Sequence, residues 1–159
     1  MPAALPPTIA PSAAARWAAL QPKASPWLHE EVARRMEGRL QWMTLQPENW
    51  VHWEPLRGGL QAHALLAARY PKAACFVVQA LAKHDDAARE SIVPAWWNPT
   101  RWTGPSVQFG LPQQPVQMLW ANMALHMAAD PQALIAQWQR LLQPQGFLMF
   151  SCLGPDTLR

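Results

Sequence analysis

Apolar residues recur every four positions at Leu28, Val32, Met36 and Leu40, while Glu30–Arg34 and Glu31–Arg35 set acid before base on another side. That spacing predicts an amphipathic helix, with Ser25 as its N-cap and Pro26 as its first residue. After Gln46-Pro47 the pattern shortens. Asn49 to Glu54 is rich in strand formers, and Pro55-Leu56-Arg57-Gly58-Gly59 breaks it. Leu60 to Tyr70 then reads as a helix with Leu60, Ala64, Leu65 and Ala68 on one side, stopped by Pro71. Ala74 to Val78 is apolar without alternation, as in a parallel strand covered on both faces. Leu81 to Glu90 predicts another helix, its His84-Asp85-Asp86 a solvated face. Ser106 to Phe109 and Val116 to Ala121 predict two more strands. Asp130-Pro131 repeats the cap-plus-proline signature before a helix whose Leu134, Ile135, Trp138, Leu141 and Leu142 face inward. Pro144-Gln145-Gly146 then turns into the strand Phe147 to Cys152. Strands alternating with helices predict an α/β fold, a Rossmann-like doubly wound and mainly parallel sheet in the order 3-2-1-4-5.

Composition narrows the picture. A chain of 159 residues allows one domain. Its net charge of +3 comes from scattered basic residues, which argues against nucleic acid as a partner. No apolar run approaches the roughly 18 residues of a transmembrane helix. Residues 1–24 are rich in Ala and Pro and nearly uncharged, without the basic start and unbroken apolar core of a signal peptide. Pro2, Pro6, Pro7 and Pro11 interrupt any helix there, so this stretch is expected to be a disordered or loosely packed leader of a cytoplasmic protein. Residues 25–159 form the expected domain. Cys75 and Cys152 fall on strands two and five, about 14 Å apart at ordinary strand spacing, and are expected as free thiols. His29, His52, His63, His84 and His126 lack ligand spacing, so no metal site is expected.

In a doubly wound sheet, ligands bind beyond the carboxyl ends of the strands. Glu54 to Gly59, Gln79 and Asn122 stand at three such ends. Gly58 and Gly59 allow close backbone approach and present N–H groups at a helix start. Gln79 follows Gly59 by 20 residues, the interval at which nucleotide-binding folds place a ribose-reading side chain. His126 reads either as a contact to a substrate carboxylate or as a packing residue. Trp96, Trp97 and Trp102 either line an apolar acyl pocket or cap the sheet edge. Arg57, Arg69 and Lys72 either meet an acidic partner or are simply solvated.

Pro26-Trp27-Leu28-His29-Glu30-Glu31-Val32-Ala33, Leu119-Trp120-Ala121-Asn122-Met123-Ala124-Leu125-His126, Leu141-Leu142-Gln143-Pro144 and Ser151-Cys152-Leu153-Gly154-Pro155-Asp156-Thr157-Leu158-Arg159 resemble the class I S-adenosylmethionine-dependent methyltransferases. The resemblance covers residues 25–159 and is strongest to the biotin-synthesis branch, which methylates the free carboxylate of malonyl-acyl carrier protein. It implies S-adenosyl-L-methionine as cofactor and an acyl carrier protein thioester as partner. It also implies cofactor contacts from Trp53, Glu54, Gly58, Gly59, Gln79 and Asn122, with His126 toward the substrate. Two further strands usually close the family's sheet, so the domain is expected to be incomplete at its C-terminus. Some positions depart from the family. Pro55 and Arg57 stand where two glycines are usual, Gln79 stands where an acid is, and Gln117 and Gln145 replace an aspartate and a glycine. These departures imply the alternative, a degenerate methyltransferase fold acting as a non-catalytic binding module.

Overall fold

The computed structural model describes residues 8–20, 22, 24–94, 97–98, 104–154 and 157. Its strands are β1 (Asn49–Trp53), β2 (Ala74–Val78), β3 (Val107–Phe109), β4 (Val116–Ala121) and β5 (Leu142–Phe150). Its helices are α1 (Pro11–Ala19), α2 (Trp27–Arg39), the single turn α3 (Pro55–Gly58), α4 (Leu60–Arg69), α5 (Asp85–Ile92) and α6 (Pro131–Leu141). All four strand pairings are parallel, and the order is β3-β2-β1-β4-β5, as the alternation of elements predicts. Cys75 and Cys152 are both free. No helix among the described residues is long and apolar enough to cross a membrane.

Alternation along the central strands builds two cores. Trp50, Met118 and Trp120 face α2 and α4, where Ala33, Met36, Ala62 and Leu66 complete one cluster. Val51, Trp53, Leu119 and Ala121 face the other way, against Trp138 of α6. Asp130 caps α6 as predicted, its Oδ1 accepting from Ala133 N at 2.9 Å.

Several local expectations change. Pro11 starts α1 instead of interrupting it, because a proline in the first turn sacrifices no helical N–H bond. Even so, α1 buries none of its residues. Ser25 does not cap α2; its hydroxyl donates to Leu56 O at 3.1 Å and accepts from Leu60 N at 3.0 Å. Glu31 pairs with both Arg34 and Arg35, leaving Glu30 turned toward α4. Within α4 it is Ala62, His63 and Leu66 that face inward, while Ala64, Leu65 and Ala68 are exposed. His84 is buried rather than solvated. No turn occurs at Pro144-Gln145-Gly146, because β5 runs through it with a register shift opposite Val116 to Met118. A Cβ at Gly146 would come within 2.9 Å of Gln117 O, so only glycine fits this irregular stretch.

His63 faces inward because His52 waits there. The two Nδ1 atoms lie 3.1 Å apart, so one ring donates to the other, and Trp50 packs against both. Burial pulls His63 down to about 4 and His52 well below the usual 6.5. An imidazole with a lowered folded pKa contributes stability above 6.5 and loses it as pH falls toward the folded value. His63 alone therefore removes about 3 kcal/mol between pH 6.5 and 4, with no further loss below. Urea unfolding across this range, compared with a His52→Leu/His63→Leu double variant, should show the variant lacking that part of the slope. An identical slope in both proteins contradicts the assignment.

Candidate functional site

The carboxyl ends of β1, β2 and β3 open into a cavity of about 910 Å³, within the range of small-molecule sites. Trp53 and Glu54 follow from β1, Val78 and Gln79 from β2, and Gly110 and Leu111 from β3. Ala14, Trp17 and Ala18 of α1 and Leu134 and Gln137 of α6 form further walls. Trp53 is buried and packs edge-on against Trp138, with ring centroids 5.9 Å apart.

Glu54 is the most constrained of these residues. Its φ of 49° lies in the left-handed region, which disfavours a side chain by about 1–2 kcal/mol. Hydrogen bonds hold it there. Its N–H donates to Val78 O at 2.7 Å, and its carbonyl accepts from Gly58 N at 2.8 Å. Backbone strain of this kind concentrates at functional sites. The carboxylate lies 3.6 Å from Arg57 Nη1. Burial raises the Glu54 pKa, against the opposing pull of Arg57 and of a hydrogen bond from the Ala80 backbone. On the neighbouring strand end, Gln79 Nε2 is buried with no hydrogen-bond partner among the described residues. A buried amide without an acceptor carries an unmet desolvation penalty, which a ligand oxygen would relieve.

Trp53, Glu54 and Gln79 thus meet on one cavity, whereas Gly58, Gly59, Asn122 and His126 are not among its lining residues. Gly58 is buried against Asn122, and a Cβ there would sit 3.0 Å from Asn122 O. Asn122 acts as a latch. Its Nδ2 donates to His29 O at 2.8 Å and to Gly58 O, and its Oδ1 accepts from Ser151 Oγ at 2.6 Å. Those bonds tie β4 to α2 and α3 and leave the side chain fully engaged. His126 is half-buried with no partner for its Nδ1 among the described residues, and burial and the nearby His29 lower its pKa. Trp97 is exposed, while Trp96 and Trp102 of the aromatic loop, and Pro155, Asp156, Leu158 and Arg159 of the terminal motif, lie outside the described residues.

Sequence reasoning missed two contributors. Asp85 lines the cavity from the start of α5, and its place at the start of the helix that follows β2 was the available signal. Arg57 is buried and reaches α1, donating through Nη2 to Trp17 O at 2.7 Å, Ala18 O at 3.1 Å and Leu20 O. Its guanidinium also stacks over the Trp17 ring at 5.4 Å. Lys83 adds a bond to Ala19 O at 3.0 Å. Two cations therefore cap the carbonyl end of α1 and hold it over the cavity. Of the other basic residues near the glycines, Arg69 pairs with Glu37 at 2.5 Å and Lys72 is exposed.

No protein-family model matches the chain. It is similar to malonyl-[acyl-carrier protein] O-methyltransferase of Methylovorus sp. (strain MP688), 31% identical over 137 residues, covering 83% of this chain and 46% of that protein. The Laribacter hongkongensis protein of the same name is 30% identical over 139 residues, covering 83% and 46%. That of Gallionella capsiferriformans is 31% identical over 157 residues, covering 86% and 48%. The chain spans about half the length of these curated relatives. Among solved structures it resembles the plantazolicin methyltransferase BamL in complex with a triazolic desmethylPZN analog and SAH. The TM-score is 0.50 at 11% identity, covering 76% of this chain and 43% of that one, a likeness of fold. Strand order and structural likeness give the chain the fold of the class I methyltransferases, and the sequence relatives it matches over 83% of its length are named as methyltransferases. Within that class, the relatives that resemble it in sequence carry the name malonyl-[acyl-carrier protein] O-methyltransferase.

Proposed function

We propose that this chain is the cofactor-binding part of an S-adenosylmethionine-dependent methyltransferase whose acceptor is the free carboxylate of a malonyl thioester on acyl carrier protein. The observation that carries the reading is the cavity beyond β1 and β2, where the Glu54 carboxylate and the unmet Gln79 amide share one wall. The nucleoside part of the cofactor fits these groups. Ribose hydroxyls can both donate to a carboxylate and accept from an amide, and apolar walls from Trp53 and Leu134 suit a base. When bound, the cofactor supplies an electrophilic methyl group. The acceptor carboxylate is already ionised near neutral pH, so the chain's task is placement and exclusion of water rather than proton removal. On this reading His126, kept neutral by its lowered pKa, donates to the substrate carboxylate. Gly58, Gly59 and Asn122 support the strand ends from behind rather than touching the cofactor. The acyl carrier protein and the malonyl acceptor are carried by the relatives' names.

Calorimetric titration with S-adenosylhomocysteine tests the reading. Binding that weakens roughly tenfold or more in Gln79→Leu is expected, because the variant loses the amide that donates to a ribose oxygen. No heat at millimolar ligand in either protein favours the second reading, a methyltransferase fold kept as a binding module. Arg57 and Pro55 in place of glycines are the observations behind that alternative.

A further inference from the structure

Parallel strands of one sheet are ordinarily joined by a dozen or more residues, with a helix that covers the sheet. The connection from β3 to β4 has six residues, 110–115, and no helix. The two cores show the consequence. Side chains of α2, α4 and α5 pack into the first, but among the described helices only α6 packs into the second. The flank of α6 that a neighbouring helix would cover lines the cavity instead. Ala133, Leu134, Gln137 and Arg140, three and four apart, share that flank, and Asp130 stands at its start. Because α6 begins beyond the carboxyl end of β4 and leads straight into β5, Arg140 lies toward the amino ends of the strands. Ten residues separate it from Asp130, about 15 Å along a helix. The cavity is thus a groove that runs well past the strand ends. Its walls there are small and apolar, with Ala133 and Leu134 on one side and Pro11, Ala14, Ala15 and Ala18 of α1 on the other. Charge divides its two ends. Glu54, Asp85 and Asp130 stand at one, where Arg57 is already engaged by Glu54 and α1. Arg140 stands at the other and has no ion pair among the described residues.

We propose that this groove binds a linear aliphatic chain ending in a carboxylate, with the carboxylate on Arg140 and the chain laid between α6 and α1. Methyl and methylene walls gain most from an apolar occupant. A guanidinium takes a carboxylate through two parallel hydrogen bonds, which fixes that end. The reverse orientation would bring the ligand's charge against Glu54, Asp85 and Asp130, so the chain enters one way round. The site lies away from Glu54 and Gln79 and does not depend on the nucleoside reading of the strand ends.

Calorimetric titration with decanoate tests it, against hexanoate for chain length and decyltrimethylammonium for the sign of the head group. The wild type should bind one decanoate per chain, about tenfold or more tighter than either of the others. Arg140→Gln should weaken decanoate about tenfold and bring it level with the cationic analogue. Ala133→Phe fills the groove midway and should weaken decanoate by at least as much. Both positions are exposed, so an unchanged urea midpoint is expected for each variant and shows that it is folded. 5′-Methylthioadenosine, the cofactor's nucleoside without its amino-acid tail, should bind Arg140→Gln as it binds the wild type and should not displace decanoate. Decanoate binding as expected without any binding of 5′-methylthioadenosine supports this inference and counts against the proposed function. No heat with millimolar decanoate overturns the inference. So does equal binding of the two head groups, displacement of decanoate by the nucleoside, or a folded Arg140→Gln or Ala133→Phe variant with wild-type affinity.

Discussion

Arg57→Ala will release α1 from the cavity mouth and destabilise the protein by about 3–5 kcal/mol, the loss usual when one partner of a buried charge pair is removed. Arg57 and Glu54 are both largely buried, and the guanidinium also satisfies the last carbonyls of α1. With no buried residue of its own, α1 has little else to hold it beyond the bonds of Lys83 and His84 to the Ala19 backbone. Without Arg57 the Glu54 carboxyl loses its nearest opposing charge, so its already raised pKa climbs further. A carboxyl raised in the folded state takes up its proton before the unfolded chain does. Stability of the variant should therefore rise relative to wild type as pH falls from neutral toward the ordinary value of 4.5. Urea unfolding gives the loss and its pH dependence. Trypsin cleavage at the exposed Arg16 reports the release of α1. A variant cut at Arg16 no faster than wild type would show that α1 is held by something other than Arg57.

Trp138→Ala should cost a similar 3–5 kcal/mol, for a different reason. Trp138 is wholly buried between the sheet and α6, edge-on to Trp53 and 6.1 Å from Phe150. Truncation leaves a cavity under Trp53, and the floor of the ligand site loses its support. Denaturant unfolding should show the lost stability with the slope on denaturant unchanged, since the same surface is exposed on unfolding. A loss below about 1 kcal/mol would mean that the second core does not depend on this side chain. Trp138→Phe keeps most of the apolar contact and should recover more than half of the loss.

Strand order was legible in this sequence because parallel strands buried on both faces read as short apolar runs separated by helices, as β2 and β4 do. The errors have a common source. His63 was left off the predicted inner face of its helix because its partner, His52, lies on another element, and no local pattern announces a buried pair of imidazoles. Pro144 and Gly146 looked like a turn, yet at a strand edge proline and glycine also mark irregular pairing. Pro11 looked like a breaker but sits where a helix tolerates it. Trp53, Glu54 and Gln79 come together on one cavity because strand ends are fixed by topology. Gly58, Gly59 and Asn122 do not line that cavity, and His29 and Glu30 of α2 with the preceding Ser25 bond to Asn122 and to the start of α4. The grip of Arg57 on α1 joins residues about forty positions apart and left no trace in local spacing.

The central claim is that the ends of β1 and β2 form a nucleoside site. Hydrogen–deuterium exchange of the wild type with and without saturating 5′-methylthioadenosine tests it most directly. Protection should appear in peptides covering residues 53–54, 78–80 and 110–111, with the start of α4 unchanged because its amides are already bonded within the protein. Protection confined to α4 and α2, or no ligand-dependent change at the strand ends, would contradict it.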